Sequence, residues 1–203
     1  VLDIGCGIGN FLQWADAEGF HSVGAELDPP AIEEVRNRGL EVVEVDRMAD
    51  EVDPESVDLV TMWDVIEHLV DPASAVEEAF GFLRPGGLLI LETPDVEFPL
   101  RPLAIGVRRF VEPIRYSDVL YFAGHRTYFS SIGLAELLEP RGFEMMATMK
   151  LRSPSAKMRS LFDHLSEGRS GLTMARLYEP LDRTMRTLGM TNKLVTIARR
   201  PWA

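Results

Sequence analysis

Along the first 93 residues, two periods of apolar and polar positions take turns. Short apolar runs at 1–4, 22–27, 40–45, 56–62 and 88–92 have the length and composition of buried strands. Between them the apolar residues fall at helical spacing. Residues 10–18 bring Phe11, Leu12, Trp14 and Ala15 together, and Asp71-Pro72 opens a helix that runs to about Leu83. Gly19 and Gly39 each stop a helix just before a strand. Asp28, followed by Pro29 and Pro30, is expected to cap the second helix, and Arg84-Pro85-Gly86-Gly87 reads as a turn. Strands alternating with helices over short connections predict an α/β fold: a doubly wound, mostly parallel sheet with helices on both faces.

The alternation breaks after Thr93-Pro94. Residues 94–129 carry Pro94, Pro99, Pro102 and Pro113 with aromatics between them, which predicts a loop-rich insertion. A helix is predicted at 131–139 and a strand at 143–149. A second insertion, 152–191, follows, and 192–198 is the last strand. The second insertion holds two apolar stripes, Met158, Leu161, Phe162 and Leu165, then Leu177, Leu181, Met185 and Leu188. Such stripes must bury against something. The two insertions are therefore expected to form a substrate cover above the sheet or an interface between copies, in a monomer or a homodimer.

Composition narrows the classes. The 203 residues suffice for one domain with a sizeable core, and 46% apolar with 26% charged residues is ordinary for a globular protein. A net charge of -11 repels nucleic acid and anionic membranes, so neither is an expected partner, and no run of about 20 apolar residues predicts stable membrane insertion. The charge is uneven. Residues 1–93 hold 4 Lys/Arg against 21 Asp/Glu, and residues 94–203 hold 17 against 11. The basic half leaves room for an anionic small-molecule substrate, with Arg108, Arg109 or Arg115 as contacts. Cys6 is the single cysteine, so no internal disulfide or cysteine-rich metal site is expected, and a reducing, cytoplasmic setting is the default. The chain starts on a strand-like run without an initiator methionine, and the natural protein is expected to extend upstream.

The candidate chemistry begins at Asp3-Ile4-Gly5-Cys6-Gly7-Ile8-Gly9, where a strand hands over to a helix. Glycines there permit a tight turn and close approach of a ligand, and the helix N-terminus offers unpaired N–H groups. Glu26 ends the second strand, where a carboxylate can accept hydrogen bonds from ribose hydroxyls and would repel a 2′-phosphate. The dinucleotide spacing G-x-G-x-x-G is not met, because Asn10 follows Gly9. NAD is not excluded by these residues alone. An NAD-dependent oxidoreductase and a non-catalytic cofactor-binding protein remain alternatives. Asp3 can orient the turn or meet the cationic amino group of an amino-acid moiety.

Val-Leu-Asp-Ile-Gly-Cys-Gly-Ile-Gly at 1–9 resembles the first motif of class I S-adenosylmethionine-dependent methyltransferases. The blocks 58–72 and 83–94 are similar to that family's fourth-strand region and to its turn and fifth strand. Together they most resemble the small-molecule branch that includes ubiquinone-biosynthesis O-methyltransferases. The resemblance implies a Rossmann-like seven-stranded sheet in the order 3-2-1-4-5-7-6 with the last strand antiparallel. It implies S-adenosylmethionine as cofactor and methyl transfer, on oxygen, to a small organic acceptor. It assigns Asp3, Gly5, Cys6, Gly7 and Gly9 to the cofactor's methionine end, Cys6 as a small packing residue. Glu26 is assigned to the ribose, Leu27 and Asp46 to the adenine, and Met62, Trp63 and Asp64 to the pocket wall. Arg47 departs from the family's small or apolar residue, and its side chain is expected to point to solvent.

An acceptor that begins protonated needs a base. His68, just after the fourth strand, and His125, in the first insertion beside Arg126, Tyr128 and Phe129, are the catalytic candidates. Both also read as loop-fixing residues. Tyr116, Tyr121, Phe122 and Tyr128 suit an apolar substrate chamber. His21 and His164 read as surface residues. Glu67, His68 and Asp71 can be pictured around an ion, but the expectation is no metal.

Overall fold

The computed structural model describes residues 1–98, 124–153, 180 and 182–202. Seven strands form one sheet in the order β3-β2-β1-β4-β5-β7-β6. They are β1 (Leu2–Ile4), β2 (Val23–Glu26), β3 (Glu41–Glu44), β4 (Val57–Trp63), β5 (Leu83–Pro94), β6 (Glu144–Leu151) and β7 (Lys193–Arg199). The first five pair in parallel, and β7 runs antiparallel to both β5 and β6. The sheet is accompanied by helices α1 (Asn10–Ala17), α2 (Pro29–Asn37), α3 (Met48–Glu51), α4 (Pro72–Phe82) and α5 (Ser131–Leu138), by single 3-10 turns at Val45–Arg47, Ile66–His68 and Glu139–Arg141, and by a helical stretch at 182–187. The expected fold class and strand order are those observed.

Strand alternation divides the apolar side chains between two clusters. Val42 packs with Cys6, Leu12 and Val35, whereas the next residue, Val43, joins the larger cluster of Leu2, Val60, Met62, Leu89, Leu91, Leu134 and Leu194. Most of these larger side chains are wholly buried, each contributing about 1.5–3 kcal/mol of transfer free energy. Gly24 is required where β2 passes under the glycine turn, since a Cβ there would lie 2.5 Å from Cys6 Sγ and 2.7 Å from Leu12 Cδ1.

Several local expectations change. Asp28 does sit at the cap of α2, but its side chain makes no cap bond, and Pro29 and Pro30 behind it carry no N–H to offer; the N–H groups of Leu27 and Asp28, ahead of the helix, go to Glu26. The turn at Arg84–Gly87 lies inside β5 as a bulge, because Leu83 already pairs with Val57 and pairing resumes at Leu59 and Leu88. Gly86 takes φ 82° there, and its N–H donates to the carbonyl of Arg200. Trp14 shares the apolar spacing of α1 yet is exposed, stacked between Phe11 and Phe20. Asp71 caps α4 as expected, accepting from Ala73 N, Ser74 N and Ser74 Oγ.

Both insertions are described only at their roots, and the roots meet at the carboxyl edge of β5. Asp95 bridges to Phe129, its N–H donates to the carbonyl of Asn192, and Asn192 exchanges hydrogen bonds with Ser153. Lys150 reaches Asp95 at 3.0 Å and Glu97 at 2.8 Å, tying β6 to the same point. Arg108, Arg109, Arg115, Tyr116, Tyr121, Phe122 and His164 lie outside the described residues, as do Met158, Leu161, Phe162, Leu165, Leu177 and Leu181. Among the described residues no helix is long and apolar enough to cross a membrane.

Candidate active site

The three glycines of the first turn all adopt left-handed φ, of 71° at Gly5, 54° at Gly7 and 81° at Gly9. Their surroundings differ. A Cβ on Gly5 would meet Val65 at 2.5 Å, and one on Gly9 would meet Leu40 and Val35 at 3.2 Å. A Cβ on Gly7 would meet nothing within 4 Å. Gly5 and Gly9 thus serve packing, while Gly7 leaves an open cradle beside the backbone.

Glu26 closes this turn. Its Oε2 accepts the N–H of Gly7 at 2.7 Å, and its Oε1 accepts Leu27 N at 2.7 Å and Asp28 N at 3.1 Å. A carboxylate with about four lone-pair sites keeps capacity for a further donor. On the far side of Glu26 a cleft of about 390 Å³ is lined by Leu27, Ile32, Arg36, Glu44 and Asp46 among others. Leu27 and Asp46, expected near an adenine, therefore share one cleft with Glu26. Arg47 points to solvent, paired with Glu51 at 3.1 Å.

Asp3 lies behind the turn, 1% exposed, and accepts a hydrogen bond from Thr61 Oγ1 at 2.6 Å. No ion pair reaches it among the described residues. Burial pushes its carboxyl up to about 7, with Glu26 adding to the rise and Thr61 opposing it. A cation arriving here would favour the ionised form. Cys6 is also buried, and burial with the negative charges of Asp3 and Glu26 pushes its thiol up to about 12. It packs against Leu12 and Val35 as an apolar residue.

The expected pocket wall after β4 needs one correction. Met62 is wholly buried in the core, because β4 continues through Trp63 and alternation turns Met62 into the apolar layer. Trp63 is half-buried and packs on Phe11 at 5.3 Å, and its Nε1 is buried without a hydrogen-bond partner among the described residues. Asp64 takes φ 56°, donates its N–H to the carbonyl of Glu92, and pairs with Lys193. Lys193 Nζ also lies 3.3 Å from Glu92. Nothing in the sequence pattern marks Lys193, since only the antiparallel return of β7 brings it to the carboxyl edge.

His68 and His125 come together at that edge. Their rings meet edge to face with centroids 4.6 Å apart. His68 Nδ1 lies 2.9 Å from the carbonyl of Gly124. A carbonyl only accepts, so Nδ1 carries hydrogen and Nε2 keeps its lone pair in the neutral ring. Glu67, wholly buried, accepts Thr93 Oγ1 at 3.0 Å on Oε2, and its Oε1 lies 3.9 Å from His125 Nε2. The sequence offered Glu67 only as an imagined ion ligand beside His68 and Asp71, not as a partner of His125. Its one signal was its place between buried Ile66 and His68. Asp71 is occupied with capping α4 and stands apart from this cluster. His21 is exposed, as expected.

A parallel sheet reversed at its last strand, with an acid-closed glycine turn at its centre, defines a nucleoside-binding α/β protein of the methyltransferase type. The chain belongs to the methyltransferase domain family, whose model matches residues 1–148. It is 32% identical over 151 residues to a probable S-adenosylmethionine-dependent methyltransferase of Mycolicibacterium smegmatis, covering 73% of this chain and 53% of that protein. It is 27% identical over 144 residues to the ubiquinone biosynthesis O-methyltransferase of Xylella fastidiosa, covering 62% of this chain and 58% of that one. The chain thus spans little more than half the length of these relatives. A solved S-adenosylmethionine-dependent methyltransferase from Mesorhizobium loti shares the fold, with a TM-score of 0.64 at 21% identity over 98% of this chain and 89% of that one.

The residues present fit this family's cofactor. The open cradle at Gly7, the spare acceptor capacity of Glu26, and, among the described residues, a buried Asp3 with no cation and a Trp63 Nε1 with no hydrogen-bond partner all suit a ligand that carries a ribose and an ammonium.

Proposed function

We propose that this chain binds S-adenosylmethionine at the glycine turn and methylates an oxygen of a small organic acceptor, with His68 taking the acceptor's proton. The observation that carries this reading is Glu26 bonded across the turn to Gly7, beside a buried Asp3. Glu26 would hold the ribose, Asp3 the amino end, and Leu27 with Asp46 the adenine side. When bound, the cofactor supplies an electrophilic methyl on sulfur; its transfer forms the oxygen–carbon bond, breaks the sulfur–carbon bond and leaves that electron pair on sulfur. The hydroxyl proton then needs an acceptor, and His68 Nε2 is the base placed at this edge. His68 supports oxygen over nitrogen, because a neutral amine can be methylated without prior loss of a proton, whereas a hydroxyl gains from a base. The likeness to ubiquinone O-methyltransferases supports the same choice. The basic excess of residues 94–203 supports an acceptor carrying a carboxylate or phosphate. The joined roots of the two insertions support a cover formed by residues 94–129 and 152–191 over the carboxyl edge.

Calorimetry with S-adenosylmethionine and S-adenosylhomocysteine tests the cofactor, and a labelled-methyl screen over phenols, catechols, carboxylates and amines tests the acceptor. Binding of both nucleosides and label on a hydroxyl are expected. No binding sinks the cofactor reading, and label confined to amines or to macromolecules sinks the acceptor reading.

A further inference from the structure

We propose that Glu67 is a positioning residue that holds His68 and His125 as one proton-accepting pair, so that the two rings share the burden of the acceptor's proton. The inference rests on the methyl-transfer reading above and extends it to a residue that reading leaves unused.

Glu67 organises this edge through both its backbone and its side chain. Its carbonyl accepts the N–H groups of Arg126 at 2.8 Å and Thr127 at 3.1 Å, which anchors the segment carrying His125. Its carboxylate is held by Thr93 on one oxygen and faces His125 Nε2 with the other. The same segment supplies the Gly124 carbonyl that sets the tautomer of His68. One residue therefore places the second ring and fixes the protonation geometry of the first.

The charge balance gives this arrangement its purpose. Methyl transfer removes the positive charge of the donor sulfur, and proton uptake creates one on an imidazole. A cation formed in a half-buried place is costly unless an anion is close. Among the described residues, the groups facing the pair are Glu67 from the turn after β4, Thr93 from β5, and Tyr128, whose ring lies 5.4 Å from that of His125. A carboxylate oxygen of Glu67 and one ring nitrogen each of His68 and His125 lie within 4.8 Å of one another, so the carboxylate is within charge range of both rings. Glu67 is the one acid in this set, and it is wholly buried, so solvent screens it little. The hydroxyl proton passes to His68 Nε2, the imidazolium shares its charge with the neighbouring ring's field, and Glu67 balances it.

The test is the titration of the two histidines in Glu67→Gln, followed by NMR of their ring C–H signals in the chain without acceptor. The side chain keeps its shape and its bond from Thr93. A midpoint lower by about one pH unit in at least one ring is expected, the low end for loss of an opposite charge at 4–6 Å. With cofactor and a hydroxyl acceptor, kcat is expected to fall at least tenfold with an unchanged KM for S-adenosylmethionine, and Glu67→Asp should restore part of it. Unmoved histidine midpoints overturn the proposal while leaving the methyltransferase reading intact. Failure of the wild-type chain to methylate any hydroxyl overturns that reading instead, and the pair's role with it. Turnover abolished by a chelator and restored by Mg²⁺ or Zn²⁺ overturns the proposal in favour of a cation site. His125→Asn leaves the buried carboxylate in place and covers the case in which Glu67→Gln does not fold. A tenfold loss of kcat there supports the pair, and full activity overturns it.

Discussion

The two sides of this site are assembled in opposite ways. The side proposed for the cofactor is nearly local: Asp3, Gly5, Gly7 and Gly9 lie on one strand–turn–helix unit, and Glu26 closes on Gly7 from the next strand, 19 residues on. The side proposed for the acceptor is built from distant pieces. His68 bonds the carbonyl of Gly124 across 56 residues, Glu67 is held by Thr93, and Asp64 meets Lys193 only because β7 returns antiparallel beside β5. A local unit keeps its geometry through backbone chirality and a few glycines. A composite one depends on every element that brings its parts together, so it can be retuned without disturbing the cofactor side.

The sharpest way to break this contrast is to separate turnover from cofactor binding. His68→Ala is expected to lower kcat about 10²–10⁴-fold, the range of general base catalysis, with S-adenosylmethionine affinity unchanged by calorimetry. A parallel loss of affinity would mean that the two sides are not independent.

Lys193→Met probes the acceptor side as structure. It leaves Asp64 and Glu92 without their shared cation, and their side chains are only 24% and 27% exposed. Urea unfolding is expected to show a loss of about 3 kcal/mol, the lower end for a buried pair deprived of one partner. An unchanged midpoint would show that the edge is held by the sheet alone.

Glu26→Ala should weaken S-adenosylmethionine binding by about 1.5–3 kcal/mol, the worth of hydrogen bonds to a charged group, while the titration of the histidines stays where it is. A shift in that titration would couple the two sides.

The smallest effect is read from pH. The folded Asp3 carboxyl sits at about 7, above its ordinary 3.8. Between these values the folded chain keeps a proton that the unfolded chain has released, so this group's contribution to stability is lost as pH rises from about 4 to about 7. Asp3→Asn should flatten that slope in thermal melts. The cofactor's ammonium favours ionised Asp3, so affinity should rise with pH up to about 7 by less than tenfold per unit, and Asp3→Asn should abolish the rise. A cofactor affinity independent of pH in the wild type would remove Asp3 from the binding site.

Most of the glycine turn was legible before any fold was known, because its signals are local. A glycine triplet between an apolar run and a helix, with an acid at the next strand's end, can be read within one βαβ unit. The departures have equally specific causes. Met62 was expected at the pocket wall, but it shares the face of Val60 on β4 and is sealed in the apolar layer. Asp28 holds the cap position, but Pro29 and Pro30 behind it have no N–H for its side chain to take.

What the amino-acid sequence by itself determined was the architecture: the order of strands and helices, the conformations that only glycine accepts, and the acid-closed turn, all set by periodicity and backbone sterics over short spans. What only the tertiary structure decided was the company each ionisable group keeps. Glu67 and Lys193 resemble any other surface charge in the linear chain. One is sealed against Thr93 and His125, and the other lies between Asp64 and Glu92. Burial and partnership are properties of folded packing, and they govern charge far more steeply than the identity of neighbours in sequence.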